Sequence, residues 1–125
     1  MARPRKVLII DDDFTVVDYV SELLANWGYE CAASGTGADG IEKFADGGFD
    51  LVLLDVMLSD TDGVTLCRRL KSAMRERQVP IIVMSSLSDP TTIQDARMFG
   101  AADYIRKPFD EKQFKAKIEK ALDRA

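Results

Sequence analysis

Four short polar blocks hold the side chains that could do chemistry in this chain: Asp11-Asp12-Asp13, Asp55, Ser85-Ser86 and Lys107-Pro108. Each lies at the end of an apolar run. Histidine is absent from all 125 residues, which removes His-based triads, imidazole zinc sites and imidazole acid–base catalysis. What remains is carboxylate, hydroxyl and ammonium chemistry, with a hard cation as the natural helper. Clustered carboxylates repel one another, and some would hold protons at neutral pH unless compensated. A divalent cation removes that frustration. Mg²⁺ fits best, because it takes one or two carboxylates, keeps several waters and favours phosphate oxygens as further ligands. With Asp11, Asp12 and Asp55 ionised the set carries −3, and Mg²⁺ together with Lys107 supplies +3. Such a set is poised for phosphoryl transfer.

These blocks are far apart in the chain, so a fold must bring them together. The apolar runs are Val7–Ile10, Tyr29–Ala33, Leu51–Leu54, Ile81–Met84 and Ala102–Ile105. Short runs rich in Val, Ile and Leu, without polar alternation, suit strands buried on both faces of a parallel sheet. Helical patterns lie between them. Val16, Val17, Val20, Leu23, Leu24 and Trp27 recur at spacings of three and four and stop at Gly28, with Asp13 as the helix-start residue. A second helix is predicted from Gly37 to Ala45, started by Thr36, with Gly40 weakening it locally. A third carries Val64, Cys67, Leu70 and Met74 after the turn-rich Ser59–Gly63 segment. The fourth starts at Ser88-Asp89-Pro90, and the fifth near Asp110, with Gln113 placed for a capping box and Phe114, Ile118 and Leu122 on one face. The order predicts an α/β fold: a three-layer (βα)5 doubly wound sandwich with helices on both faces of a parallel sheet and right-handed crossovers. Ligands gather at the carboxyl ends of such strands, where the polar blocks fall.

Composition narrows the function classes. Hydrophobic residues make up 46% and charged residues 30%, a globular mixture that leaves residues 1–125 as one domain. Seventeen basic and 21 acidic residues give −4, which argues against nonspecific binding to nucleic acid or anionic lipid. No apolar run approaches the ~20 residues of a membrane span, and Met1–Lys6 is too short and basic for a signal peptide. Cys31 and Cys67, isolated in apolar contexts, are expected to be reduced core thiols of a cytoplasmic protein, with Trp27 also in the core.

Ile9-Ile10-Asp11-Asp12-Asp13, Leu53-Leu54-Asp55-Val56-Met57-Leu58 with Gly63, Ile82-Val83-Met84-Ser85-Ser86, and Gly100 through Phe109 closely resemble the receiver domain of bacterial response regulators. The resemblance covers essentially the whole chain. It implies a flavodoxin-like sheet of order 2-1-3-4-5 and a phosphorylation switch in a two-component phosphorelay. Asp55 would accept the phosphoryl group. Asp12 and Asp55 would ligate Mg²⁺ directly (Mn²⁺ or Ca²⁺ as substitutes), Asp11 through water and Met57 by its backbone carbonyl. Lys107 would offset charge on the transferring oxygens, Ser85 would donate to the bound phosphoryl, and Ser86 would line its access. Lys107-Pro108 would be a cis peptide aiming the ammonium into the site. After phosphorylation Ser85 would be drawn inward and Tyr104 would enter the vacated space, remodelling the face of the fourth helix, fifth strand and fifth helix.

The donor would be a sensor histidine kinase or a histidine phosphotransfer protein, and the receiver of the signal a downstream protein target or a fused output domain. No direct nucleic-acid or membrane contact is expected, and the state is a monomer or a phosphorylation-dependent dimer. No independent enzymatic turnover is expected beyond assistance of its own phosphorylation and dephosphorylation. Two departures stand out. Ser59-Asp60 replaces the family's frequent Pro-Gly, predicting a loop of different shape or greater mobility. Lys117 stands where transcriptional subfamilies often place an arginine used in dimerisation.

Two other classes stay open on sequence. Asp11-Asp12-Asp13-Phe14-Thr15 also satisfies the D-x-D-x-T pattern of haloacid-dehalogenase-like phosphatases, with Asp11 as nucleophile, but that reading leaves Asp55 unexplained and has little length for a cap. A pseudo-receiver acting as a pure interaction module is the other. The aspartate labelled by a phosphodonor discriminates them.

Overall fold

A computed structural model describes residues 3–56, 58–74, 77–85 and 100–123. Among them are strands β1 (Lys6–Ile10), β2 (Glu30–Ser34), β3 (Leu51–Asp55), β4 (Ile81–Ser85) and β5 (Asp103–Arg106). The helices are α1 (Phe14–Asn26), α2 (Gly37–Gly47), α3 (Gly63–Ala73) and α4 (Glu111–Asp123), the last being the fifth helical pattern of the sequence. All strand pairs are parallel and the order is β2-β1-β3-β4-β5. The fourth helical pattern, from Ser88, lies outside the described residues.

The sheet separates two apolar clusters, which makes the three layers. Val7, Ile9, Leu51, Leu53, Ile82, Met84 and Ile105 face α1 and α4, where Val20, Leu24, Phe114 and Ile118 meet them. Leu8, Ile10, Val52, Leu54, Ile81 and Val83 face α2 and α3, meeting Phe44, Leu66, Cys67 and Leu70. Burial on both sides explains why β3 and β4 are apolar without alternation. The expectation holds less well at the edges: β2 and β5 each have a neighbour on one side only, and most of their residues are half-buried or exposed. Cys31, on β2, is half-buried for the same positional reason; Trp27, at the C-terminal cap of α1, is also half-buried, whereas Cys67 is fully buried. Burial pushes the Cys67 thiol up to about 11, leaving it protonated and inert at neutral pH. Among the described residues no helix is long and apolar enough to cross a membrane.

Local signals set the element ends. Thr36 caps α2 by accepting from the Asp39 N–H at 3.1 Å, and Asp13 caps α1 by accepting from the Thr15 N–H at 2.9 Å. Gly28, just past α1, has φ +90°, a conformation that favours glycine. Gly40 inside α2 has a packing reason: a Cβ there would sit 2.5 Å from Cδ1 and 2.9 Å from Cγ1 of buried Ile10 on β1. The bare backbone lets the helix approach the sheet.

At the amino ends of the strands, remote from the polar blocks, Asp50 ties the chain together. Its carboxylate accepts from the Lys6 N–H at 2.8 Å and from Arg77 Nη1 at 2.9 Å, and Arg3 Nη1 lies 3.3 Å away. Burial pushes its pKa up, but the Lys6 and Arg77 hydrogen bonds and the charges of Arg3 and Arg77 outweigh this and hold it below the ordinary carboxylate value.

Two outcomes follow from this packing. Gly40→Ala gains about 1 kcal/mol of helix propensity but overpacks Ile10 at a cost of about 1–3 kcal/mol. Urea denaturation will therefore show no stabilisation, and a clear gain would contradict the close approach. Asp50→Ala will lose about 1–3 kcal/mol near pH 7. Because folding lowers the Asp50 pKa, its contribution is complete above the unfolded value of about 3.9 and disappears as pH falls through the folded one. The gap between variant and parent must narrow in acid; a gap constant with pH would count against the ionic origin.

Candidate functional site

β1 and β3 are neighbours, with Ile10 opposite Leu54, so Asp11 and Asp55 stand side by side at the carboxyl edge. This is the point where strand order reverses, since β2 lies to one side of β1 and β3 to the other. One carboxylate oxygen from each of Asp11, Asp12 and Asp55 lies within 4.8 Å of the others. Asp11 and Asp55 are buried and Asp12 is exposed, so the cluster opens to solvent on the Asp12 side. The N–H of Asp13 donates to Asp11 Oδ1 at 2.9 Å, fixing that carboxylate while the Asp13 side chain caps α1.

Lys107 completes the site from the far edge. Its N–H donates to the Ser85 carbonyl at 2.7 Å, which seats it beside the end of β4. From there Nζ donates to Asp11 Oδ2 at 2.7 Å and lies 3.6 Å from Asp55 Oδ1. The Lys107–Pro108 peptide is cis. Ser85 is buried one residue beyond the Asp55–Met84 register pair. Tyr104 is half-buried on β5, packed against the cluster facing α2 and α3. The structure thus brings Asp11, Asp12, Asp55 and Lys107 together around one cleft, with Ser85 at the end of the neighbouring strand β4. Met57 and Ser86 lie outside the described residues.

Three carboxylates and one ammonium leave a formal charge of −2. The donors are all hard oxygens, close enough for a single ion to touch, with water able to fill remaining positions from the exposed side. That set fits Mg²⁺ and offers nothing to a metal that prefers thiolate or imidazole.

The loop after β3 is tied down by contacts that the sequence did not point to. Asp60 is not a free turn residue: its two oxygens accept from the N–H groups of Gly37 at 2.9 Å and Ala38 at 3.1 Å, at the start of α2. These two bonds hold its carboxyl below the ordinary range. The loop is further closed by Gly63 N–H donating to the Val56 carbonyl at 2.7 Å, an approach that a Cβ on Gly63, 2.9 Å from Val56 Cα, would obstruct. Ser59-Asp60 therefore gives a loop pinned to α2. Sequence reasoning missed this because the partner N–H groups lie more than twenty residues away. It also gave no role to Asp103, whose Oδ1 receives Lys117 Nζ of the same chain at 2.9 Å. Beside the acidic cleft, Asp13, Thr15, Val16, Tyr19, Pro108 and Phe109 line a groove of about 450 Å³. Phe14, the first residue of α1, is 83% exposed.

Parallel doubly wound sheets with an acidic switch point and a lysine reaching in from the last strand define a class of signalling domains. Residues 7–119 match the response regulator receiver domain family, and the chain belongs to it. The transcriptional regulatory protein ZraR of Escherichia coli (strain K12) is 34% identical over 116 residues, covering 93% of this chain and 26% of that protein. CseB of Streptomyces coelicolor, also a transcriptional regulatory protein, is 36% identical over 124 residues, 99% of this chain and 52% of its own length. The chain spans about a quarter and about half of these relatives. Among solved structures, a CheY-like response regulator receiver domain protein from Methanospirillum hungatei JF-1 superposes with a TM-score of 0.90 at 26% identity, covering 97% of this chain and 95% of that one.

Lys107 neutralises part of the cluster, so removing it leaves buried Asp11 without its closest cation. Lys107→Met will lose about 1–3 kcal/mol of stability in the absence of divalent cations. Added Mg²⁺ will raise the melting temperature of the variant more than that of the parent. Equal Mg²⁺ responses would show that lysine and cation do not share the same carboxylates.

Proposed function

We propose that Asp55 accepts a phosphoryl group from a phosphohistidine on a sensor histidine kinase or a histidine phosphotransfer protein, and that the aspartyl phosphate drives a switch. The observation that carries this reading is the position of the Lys107 ammonium, in contact with Asp11 and within 4 Å of Asp55 at one acidic edge. Asp12 and Asp55 would hold Mg²⁺ directly, Asp11 through water and Met57 through its carbonyl. The ion, when bound, offsets charge on the phosphoryl oxygens and on the carboxylates around them.

The two candidate nucleophiles differ in exposure. The Asp11 side chain, in contact with Lys107, is 0% exposed. The Asp55 side chain is 12% exposed, with Lys107 at the longer distance. That difference favours Asp55 as nucleophile and speaks against the phosphatase reading, as does membership of the receiver family. In the transfer an Asp55 carboxylate oxygen forms the new O–P bond as the P–N bond of the donor breaks. The electron pair returns to the imidazole nitrogen, which takes its proton from solvent. Lys107 stabilises negative charge as it spreads over the phosphoryl oxygens, and Ser85 donates to one of them once they are in place.

Exposed Phe14 and the apolar groove beside the cleft support docking of the histidine-bearing partner at this edge, since an in-line transfer needs the donor seated over Asp55. Output would pass through Tyr104 to the face expected to combine the sequence's fourth helical pattern, from Ser88, with β5 and α4, acting on a separate target or a fused output domain, as a monomer or a phosphorylation-dependent dimer.

Acetyl phosphate with Mg²⁺ will add one phosphoryl group to the parent protein, and chelation with EDTA will abolish the labelling. Asp55→Ala will take up none. Normal labelling of that variant would overturn the assignment, and a label mapped to Asp11 would revive the phosphatase reading.

A further inference from the structure

β5 is an edge strand, and alternation along it puts Ile105 in the α1/α4 cluster and Tyr104 in the α2/α3 cluster. Lys117 of α4 reaches around that edge. Its Nζ is 2.9 Å from Asp103 Oδ1 and 5.0 Å from the centroid of the Tyr104 ring. The same Asp103 oxygen accepts the Tyr104 N–H at 2.8 Å. One carboxylate oxygen therefore holds both the backbone of the tyrosine and the cation that covers its ring. The Lys117 and Asp103 side chains are 21% and 20% exposed, so water screens this pair less than it would a pair on the open surface. An ammonium over an aromatic face is attracted by the ring quadrupole, and the carboxylate keeps it from drifting off.

We infer that Lys117 is a positioning residue for the switch: held by Asp103, it retains the Tyr104 ring at the edge of the sheet and sets how readily that ring leaves for the space beside Ser85. The inference rests on the proposed role of Tyr104 as the switching side chain. Moving the ring inward breaks the Lys117–ring contact but leaves the Lys117–Asp103 pair intact. The contact therefore favours one of two ring arrangements and weights the equilibrium toward the unphosphorylated one. Losing it will raise the inward population of the unphosphorylated protein by about two- to five-fold. Arginine, which also stacks on rings and pairs with carboxylates, will preserve it. Lys117, which the sequence marks only as a departure from an arginine used in dimerisation, thus acquires a task within its own chain.

The test is fluorine NMR of the full chain labelled with fluorotyrosine, the Tyr104 signal being assigned with Tyr104→Phe. Parent, Lys117→Gln and Lys117→Arg proteins are compared with and without beryllofluoride and Mg²⁺, each checked as folded by its thermal melt. The expected result is a Tyr104 signal in unliganded Lys117→Gln displaced toward the beryllofluoride position of the parent, with Lys117→Arg at the parent position. A merely structural loss would lower the melting temperature without moving that signal along the activation direction. If the parent signal responds to beryllofluoride while Lys117→Gln starts where the parent starts, the positioning role is overturned and the switch stands. If Lys117→Gln and Lys117→Arg are displaced equally, the positioning role is likewise overturned. A parent signal that ignores beryllofluoride overturns the switching role of Tyr104, and the inference falls with it.

Discussion

Negative charge concentrated at one sheet edge is the constraint around which this molecule is built. Asp11 and Asp55 are forced together because β1 and β3 are hydrogen-bonded neighbours, and both are largely withdrawn from water. Two carboxylates so placed would repel strongly without a cation. Lys107 supplies one from two strands beyond Asp55, across the end of β4, held there by its N–H bond to Ser85. One lysine leaves the cluster short of neutrality, so the site retains an appetite for a divalent cation or for a ligand that arrives with one. An edge in that electrostatic state is suited to a reversible event, because binding, transfer and release all change the same small sum of charges.

The rest of the fold holds that edge in place. Burial of β1, β3 and β4 between two helical layers makes the sheet a rigid platform, since close-packed cores transmit displacement with little give. At the opposite end Asp50 binds the start of β1 and Arg77 near β4 into one ionic knot, so the strands cannot slide against one another cheaply. The loop after β3 is anchored too, through Asp60 to the first N–H groups of α2. The loop side of the sheet is thus fixed to α2, whereas at the β5 edge Tyr104 is half-buried under its lysine neighbour.

Much of the fold was legible beforehand. Buried parallel strands betray themselves as unbroken apolar runs, and amphipathic helices as three-and-four spacing, because each element's surroundings dictate its pattern. The predicted strand runs Val7–Ile10 and Leu51–Leu54 each differ from the observed strands by one terminal residue. Edge strands were less legible. Nothing in Tyr29–Ala33 says how many neighbours a strand has, so the sequence puts Cys31 deeper than it lies. Gly40 looked like a flaw in a helix and is instead a contact point, a distinction visible only once Ile10 stands opposite it.

Sequence by itself determined the alternation of strand and helix, the identity of the polar groups available for chemistry and the exclusion of imidazole from them. Those properties depend on composition and on neighbours within a few positions. Only the tertiary structure decided which oxygen faces which nitrogen: that Lys107 is shared between Asp11 and Asp55, that Asp60 caps a helix more than twenty residues earlier, and that Lys117 serves Asp103 and Tyr104 of its own chain. Such pairings depend on strand order, register and side-chain reach, which arise from packing the whole chain at once and leave no mark at any single position.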